Sequence, residues 1–378
     1  MTIEVSSTVS AGVASGASSH PSARSHDSVE AAKEVGSALE AVILDVGHGN
    51  CAILRDGERC MVVDAPKGTT LFDVLEQSEI WEIEHLILSH MDEDHIKGAT
   101  RLLWDARFRI GTIWYNPNGM QKSRTFEHLR KQVAESAAAG RVSARLEINS
   151  VNPKVIAVGR VRADVLHPDF EMASTGPTSY SSRFGKLTAN TLSVALRISL
   201  DGANAVLLPA DMDRIALDRI LSLGVDLSAP VLVFPHHGGR PGDQHLAEFA
   251  EMMCAAVSPN VVIFSMERGG RYSNPAPEIV DGVRKAAPRA HIACTQFSTH
   301  CQWRNSTGPG RGVVSSSDRP AAGRQVGSCC AGTLAVIKTD SGVIFDPPLN
   351  RHLEFIKLHV ADSLCKQGEV PSQRPSSN

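Results

Sequence analysis

No uninterrupted apolar stretch in this 378-residue chain approaches the ~18 residues that a membrane-spanning helix needs. No membrane span is therefore expected. Nor is there an excess of one charge: 38 Lys and Arg face 41 Asp and Glu, a formal net charge of -3. Without a global field to draw in nucleic acid, polyanion binding would have to come from a local patch. The opening MTIEVSSTVSAGVASGASS has an acidic residue early, no basic segment and no solid hydrophobic block, so a secretory leader is not expected. The eight cysteines (Cys51, Cys60, Cys254, Cys294, Cys301, Cys329, Cys330, Cys365) are too sparse and too irregular for a disulfide scaffold. A reducing, cytoplasmic setting is expected.

What is present is enough apolar residue to build a core without staples. Residues 1–38, rich in Ser, Ala and Gly with no apolar periodicity, read as a disordered tail, as do residues 363–378. Between them, 39–362 reads as one domain with a Gly/Ser/Arg-rich insertion at 302–328. Three short strand-like runs in EAVILDVGHGNCAILRDGERCMVVDA are followed by a helix in TTLFDVLEQSEIW and a strand in EHLILS. Helical patterns at GATRLLWDARF and KSRTFEHLRKQVAESAAAG flank the strand IGTIWYN. Further strands (KVIAVGRVRADVLH, NTLSVALRISL, ANAVLLPADMD, APVLVFPHH, NVVIFSM, HIACTQF) lead to helices near 213–223, 245–255 and 275–287, and GTLAVIKT and GVIFDP close the pattern. The fold class expected is α/β (α+β), in layers.

Chemistry concentrates in LSHMDEDHIKG. His90, Asp92, Asp94 and His95 are spaced to fit neither one helical face nor one strand face, but a tight loop at a strand end can turn all four toward one point. Imidazole with carboxylate is the ligand set of zinc, manganese or iron(II). The competing reading is a solvated polar loop. Two more strand ends deliver similar residues, Asp211 in AVLLPADMD and His236 and His237 in VLVFPHHGG, as is the habit of sites on α/β sheets. His85 and His128 read as surface histidines, and His167 as one that either borders the cleft or does not.

These motifs, with ILDVGHGNCAIL and VVDAPKG ahead of them and NTLSVALRISLDGANAVLLPADMD behind, resemble the metallo-β-lactamase superfamily, most closely the hydrolase domain of ComEC-type competence proteins. The resemblance covers about residues 41–287. It implies a four-layer αββα sandwich and two divalent metal ions, Zn²⁺ or Mn²⁺. His90 and Asp92 would hold the first ion, Asp94 and His95 the second, Asp211 would bridge, and His236 or His237 would cap the second. Asp92 and Asn190 stand where many relatives carry histidine, which argues against lactam, thioester or carboxylic ester hydrolysis. His48 stands where relatives have Gln, Asn274 where they have His, and Gly239 where they have Ser.

The expectation is a metal-dependent hydrolase using a metal-bridging hydroxide on a phosphodiester, with DNA, RNA or a nucleotide-derived ester as substrate. Asp94, His236, His237 and His48 are the catalytic candidates, the leaving oxygen being protonated by His48 or by whichever of His236 and His237 does not ligate. Asn190, Asn274, Arg304 and Arg311 are candidate substrate contacts, the arginines with Trp303 forming a basic loop. Cys294, Cys301, Cys329 and Cys330, with His291 or His300, are candidates for a structural zinc site. A non-catalytic binding module retaining the fold is the alternative from another class, and the oligomeric state is open.

Overall fold

The computed structural model describes residues 39–118, 122–177, 179–181, 183–242, 245–270, 272–304 and 316–365. The tail at 1–38, most of that at 363–378, and Arg311 lie outside the described residues.

Two mixed sheets stack face to face. The first has eight strands in the order Gly342–Asp346, Leu334–Thr339, Leu39–Ile43, Ala52–Asp56, Arg59–Val63, Glu82–Ile87, Arg109–Trp114 and Ser143–Arg145. Its first five strands are antiparallel, and from Arg59–Val63 onward the pairing is parallel. The second has seven: His291–Cys294, Val261–Phe264, Val231–Val233, Ala203–Leu208, Ala195–Leu200, Val161–His167 and Val155–Val158. Its parallel half runs from His291–Cys294 to Ala203–Leu208.

Strand alternation decides the layers, because successive side chains point to opposite faces. Leu39, Ala41 and Ile43 face inward with Met61, Val63 and Ile87, and meet Val165, Leu196, Ile198 and Val206 of the second sheet. Val42 and Leu44 face outward, under the helices Thr70–Gln77, Ala99–Trp104 and Arg124–Ala138. The last of these is capped by Ser123, whose hydroxyl accepts from the Phe126 amide, and it buries Phe126, Leu129 and Val133 along one face. The outer face of the second sheet is covered in the same way by Arg214–Ser222, Leu246–Val257 and Pro277–Ala286. The result is the αββα order of layers expected from the sequence. No helix among the described residues is long and apolar enough to cross a membrane.

The end of the chain departs from expectation. A helix at Leu349–His359, not anticipated, packs Phe355 and Ile356 against Phe297 and Trp303. Gln302–Trp303 pairs with Val360–Asp362, so Trp303 is core: its ring lies 4.3 Å from that of Phe297. Arg304 bonds the carbonyls of His359 and Lys357 through its backbone and guanidinium respectively, away from the histidine-rich cleft, which corrects its assignment as a substrate contact. Arg319 is taken by Asp346 and Glu40, and Arg324 by backbone carbonyls.

The structural zinc reading is corrected as well. Cys329 points its thiol at Asp45, Cys330 lies 3.3 Å from His352, and Cys301 accepts from the Leu364 amide. Three of the four thiols named for that site thus serve different partners, and the four join no metal-sized group among the described residues. Burial pushes the Cys301 thiol up to about 11. His85, expected at the surface, is half-buried and accepts from the Trp114 indole; His128 is exposed as expected.

Candidate metal centre

The centre forms where strand ends of both sheets meet. After Glu82–Ile87 the chain delivers Ser89 and His90, and Asp92 precedes a single helical turn, Glu93–Ile96, that carries Asp94 and His95. The expected loop is thus partly helical, and that turn is what brings Asp94 and His95 to the same point. From the second sheet, Asp211 follows Ala203–Leu208. His236 and His237 sit in the turn Pro235–Gly238, both left-handed, with φ of 52° and 57°. Non-glycine residues held there cost on the order of 1–3 kcal/mol each, strain that collects at functional sites.

Asp94, His95, Asp211 and His237 each offer one ligand atom, all within 4.8 Å of one another. His95 Nε2 lies 3.3 Å, and His237 Nε2 3.6 Å, from Asp211 Oδ1, and His237 Nε2 is 3.6 Å from Asp94 Oδ2. On the other side of Asp211, its Oδ2 is 3.8 Å from His90 Nε2 and 3.0 Å from His236 Nδ1, while His90 Nε2 is 3.7 Å from Asp92 Oδ2. Asp211 therefore stands between two groups of side chains. Of the histidine pair, the cluster takes His237; His236 is left half-buried on the cleft wall, with the Asn190 amide 3.3 Å from its Nδ1. Asn190 thus touches His236.

Each buried imidazole of the centre has its Nδ1 engaged. His95 Nδ1 donates to Asp64 Oδ2 at 2.7 Å, and His237 Nδ1 donates to the Ser265 carbonyl at 2.9 Å. The Ser89 hydroxyl donates to Asp64 and accepts from His90 Nδ1 at 3.1 Å. These bonds select the tautomer with the Nε2 lone pair free and aimed inward. His90 Nε2, His95 Nε2, His237 Nε2 and Asp211 Oδ1 are all buried without a hydrogen-bond partner. An unsatisfied buried polar atom costs about 1–3 kcal/mol, and three of these, on His95, Asp211 and His237, converge with Asp94 in one group, while His90 stands on the other side of Asp211. The residues fit divalent metal.

Charge follows the same pattern. Burial opposes ionisation of Asp94, but His237 and His48 outweigh it and hold the carboxyl well below the usual range. Asp211, fully enclosed, is likewise held far down by His95, His237 and His236 against its burial. Both carboxylates are ionised at neutral pH, as ligands must be.

Two glycines allow the close packing. A Cβ on Gly49, at φ 124°, would lie 2.2 Å from the Asp94 carbonyl, and one on Gly98 2.3 Å from that of Pro66. The first lets the turn bearing His48 sit against the helical turn, with His48 Nε2 3.0 Å from Asp94 Oδ2. A cleft of about 900 Å³ opens over the centre, and Asp94, Asp211, His48, His236 and Asn274 line it. Lys67, Lys97 and Arg240 reach the same cleft. His167 does not border it: the ring is buried and bonds the Thr191 carbonyl at 2.7 Å, supporting the loop that carries Asn190. Asp64, Ser89 and Ser265 escaped the sequence reading of the site; the one available signal was Asp64 closing a strand in VVDAPKG.

Two stacked mixed sheets between helical layers, with this donor set at their strand ends, make the metallo-β-lactamase fold. Residues 44–168, which contain the His90 to His95 turn, match the family model of the metallo-beta-lactamase superfamily. No curated protein matches the chain. Among solved structures, the metallo-beta-lactamase fold protein YhfI from Bacillus subtilis is similar at 11% identity, over 68% of this chain and 96% of that one, with a TM-score of 0.43. Igni18, a metallo hydrolase from the archaeon Ignicoccus hospitalis, is similar at 14% identity over 67% and 94%, TM-score 0.40. A diphosphatase of the PhnP family is similar at 11% identity over 65% and 81%, TM-score 0.38.

Proposed function

We propose that this chain is a two-metal phosphodiesterase of the cytoplasm, nearest within its superfamily to the hydrolase domain of ComEC-type proteins. The observation that carries the metal is the convergence of three buried, unpartnered donor atoms, on His95, Asp211 and His237, beside the Asp94 carboxylate. Asp94, His95 and His237 would hold one ion and His90 and Asp92 the other, with Asp211 between them. Divalent ions there supply Lewis acidity and an acidified water at neutral pH.

The chain's own residues do the rest. Asp64, Ser89 and Ser265 fix the ligand rings with each Nε2 turned toward the centre. Lys67, Lys97 and Arg240 place cations on the cleft wall, beside its carboxylates, where a phosphate oxygen can meet them. His236 and His48, the two half-buried imidazoles on that wall, are placed to give a proton to the leaving oxygen. Asp92 in place of histidine favours the same substrate. Eight free thiols agree with a reducing compartment.

The test is the purified chain with Mn²⁺ or Zn²⁺ on bis-p-nitrophenyl phosphate, single-stranded DNA and nitrocefin. Phosphodiester cleavage that is lost in Asp94→Ala, without nitrocefin turnover, supports the reading. Nitrocefin turnover in its place overturns it. If His236→Ala and His48→Ala each keep full turnover and metal content, the proton donor is misassigned.

A further inference from the structure

We propose that a second cavity, on the His90 side of the centre, is a nucleobase pocket. It would receive the base of the nucleotide whose phosphodiester is cleaved, and the inference rests on the phosphodiesterase reading above. The cavity holds about 240 Å³ and is walled by Ser89, His90 and Met91, while the larger cleft begins at the next residue, Asp92. The two spaces share no lining residue among those described. His90 lines the one and Asp92 the other, and these two side chains lie 3.7 Å apart, so both spaces border the His90 side of the centre.

Their chemistry differs. The cleft holds Lys67, Lys97 and Arg240 among the carboxylates Asp92, Glu93, Asp94, Asp211 and Glu278, whereas the cavity has no lysine or arginine among its described lining residues and one acid, Glu147. A phosphate finds cations in the first alone. The cavity's amides are already engaged. Asn116 bonds both backbone groups of Ile148, at 2.7 and 2.8 Å. Asn149 accepts from the amides of Val151 and Asn152 and donates to Glu147. They stiffen the walls and leave an apolar surface, with Met91 and Leu192 buried in the floor.

At the mouth, Phe170 and Leu146 are 58% and 51% exposed. An aromatic face open to solvent at the lip of an apolar cavity, joined to a phosphate-attracting centre, suits a flat uncharged ring borne on a phosphate. Such stacking tolerates any base, since every base offers a π-face. The consequence is a substrate with a nucleoside arm, selected for having a base and not for which base.

The test uses the full chain loaded with Mn²⁺ and hydrolysing bis-p-nitrophenyl phosphate, with dAMP and 2-deoxyribose 5-phosphate as inhibitors that differ only by the base. Base stacking of about 1–3 kcal/mol corresponds to roughly 5- to 150-fold, so dAMP is expected to inhibit at least about fivefold more tightly. Phe170→Ala, at an exposed position, and Ala173→Trp, which fills the cavity, should each bring the ratio toward one by weakening dAMP alone. Equal inhibition by the two compounds in the wild type, or a ratio that survives both variants, overturns the pocket while leaving the phosphodiesterase standing. Absence of any phosphodiester turnover overturns the phosphodiesterase, and the pocket with it.

Discussion

Replacing Asp64 by Asn removes one negative charge behind His95 and little else. Asp64 sits at φ 58°, a left-handed conformation that Asn tolerates, so the backbone is spared. Its carboxylate accepts from the Ser89 amide at 2.7 Å, the Ser89 hydroxyl at 2.8 Å and His95 Nδ1 at 2.7 Å. In the variant one oxygen can still serve the Ser89 amide, but an NH₂ group then faces His95 Nδ1. Two donors at that distance repel. His95 must move its proton to Nε2, where it points at Asp211 Oδ1, 3.3 Å away, and blocks the lone pair meant for the ion. Bonds to a charged acceptor contribute about 1.5–3 kcal/mol, and loss of such an outer partner typically weakens metal affinity about 10- to 100-fold. Chelator competition with Zn²⁺ should read a loss in that range, while circular dichroism of the variant stays native. Affinity within twofold of the wild type would refute the role given to Asp64.

Gly98→Ala should act on the same centre through sterics. The new Cβ would meet the Pro66 carbonyl at 2.3 Å and the Ala65 carbonyl at 3.0 Å, forcing apart the strand end and the turn that carries Asp94 and His95. Thermal unfolding should show a loss of about 1–3 kcal/mol, with weaker metal binding. Away from the centre, the enclosed pair of Asp169 and Arg219 gives an acid dependence. Burial pushes the Asp169 carboxyl up, but Arg219 and the Met172 amide outweigh it and hold it below its ordinary value. A depressed carboxyl stabilises the fold above its unfolded value of about 3.9, and that stability is lost as pH falls through the folded value. Asp169→Asn should therefore cost roughly 1–2 kcal/mol at pH 7 and nothing once the wild-type carboxyl is protonated; a gap that fails to narrow as pH falls below about 3.9 would contradict this.

The fold was legible where the pattern had a physical cause of its own. Strands covered on both faces read as continuous apolar runs, as in AVILDV and VLVFP, and helices such as Arg124–Ala138 showed their buried stripe directly. The four-residue crowding at His90 to His95 announced the centre, and Asp211 and His237 were placed at strand ends before their convergence was visible. The choice between His236 and His237 was not legible, because it depends on a turn in which both residues are left-handed and their rings diverge. Nor was the network of Asp64, Ser89 and Ser265, since hydrogen bonds between residues distant in sequence leave no periodicity. Arg304 and the cysteines misled for the same reason: composition suggested a basic loop and a zinc site, whereas partners supplied by the unanticipated helix Leu349–His359 claim Arg304 and Cys330.

The central claim is that two divalent ions occupy the site around Asp211. Elemental analysis of the purified, Mn²⁺- or Zn²⁺-loaded chain, beside the Asp211→Ala variant, tests it most directly. The account predicts about two ions per chain in the wild type, with loss of both high-affinity binding and bis-p-nitrophenyl phosphate turnover in the variant. A wild-type chain that binds no divalent ion, or a variant that keeps the full complement, would contradict it.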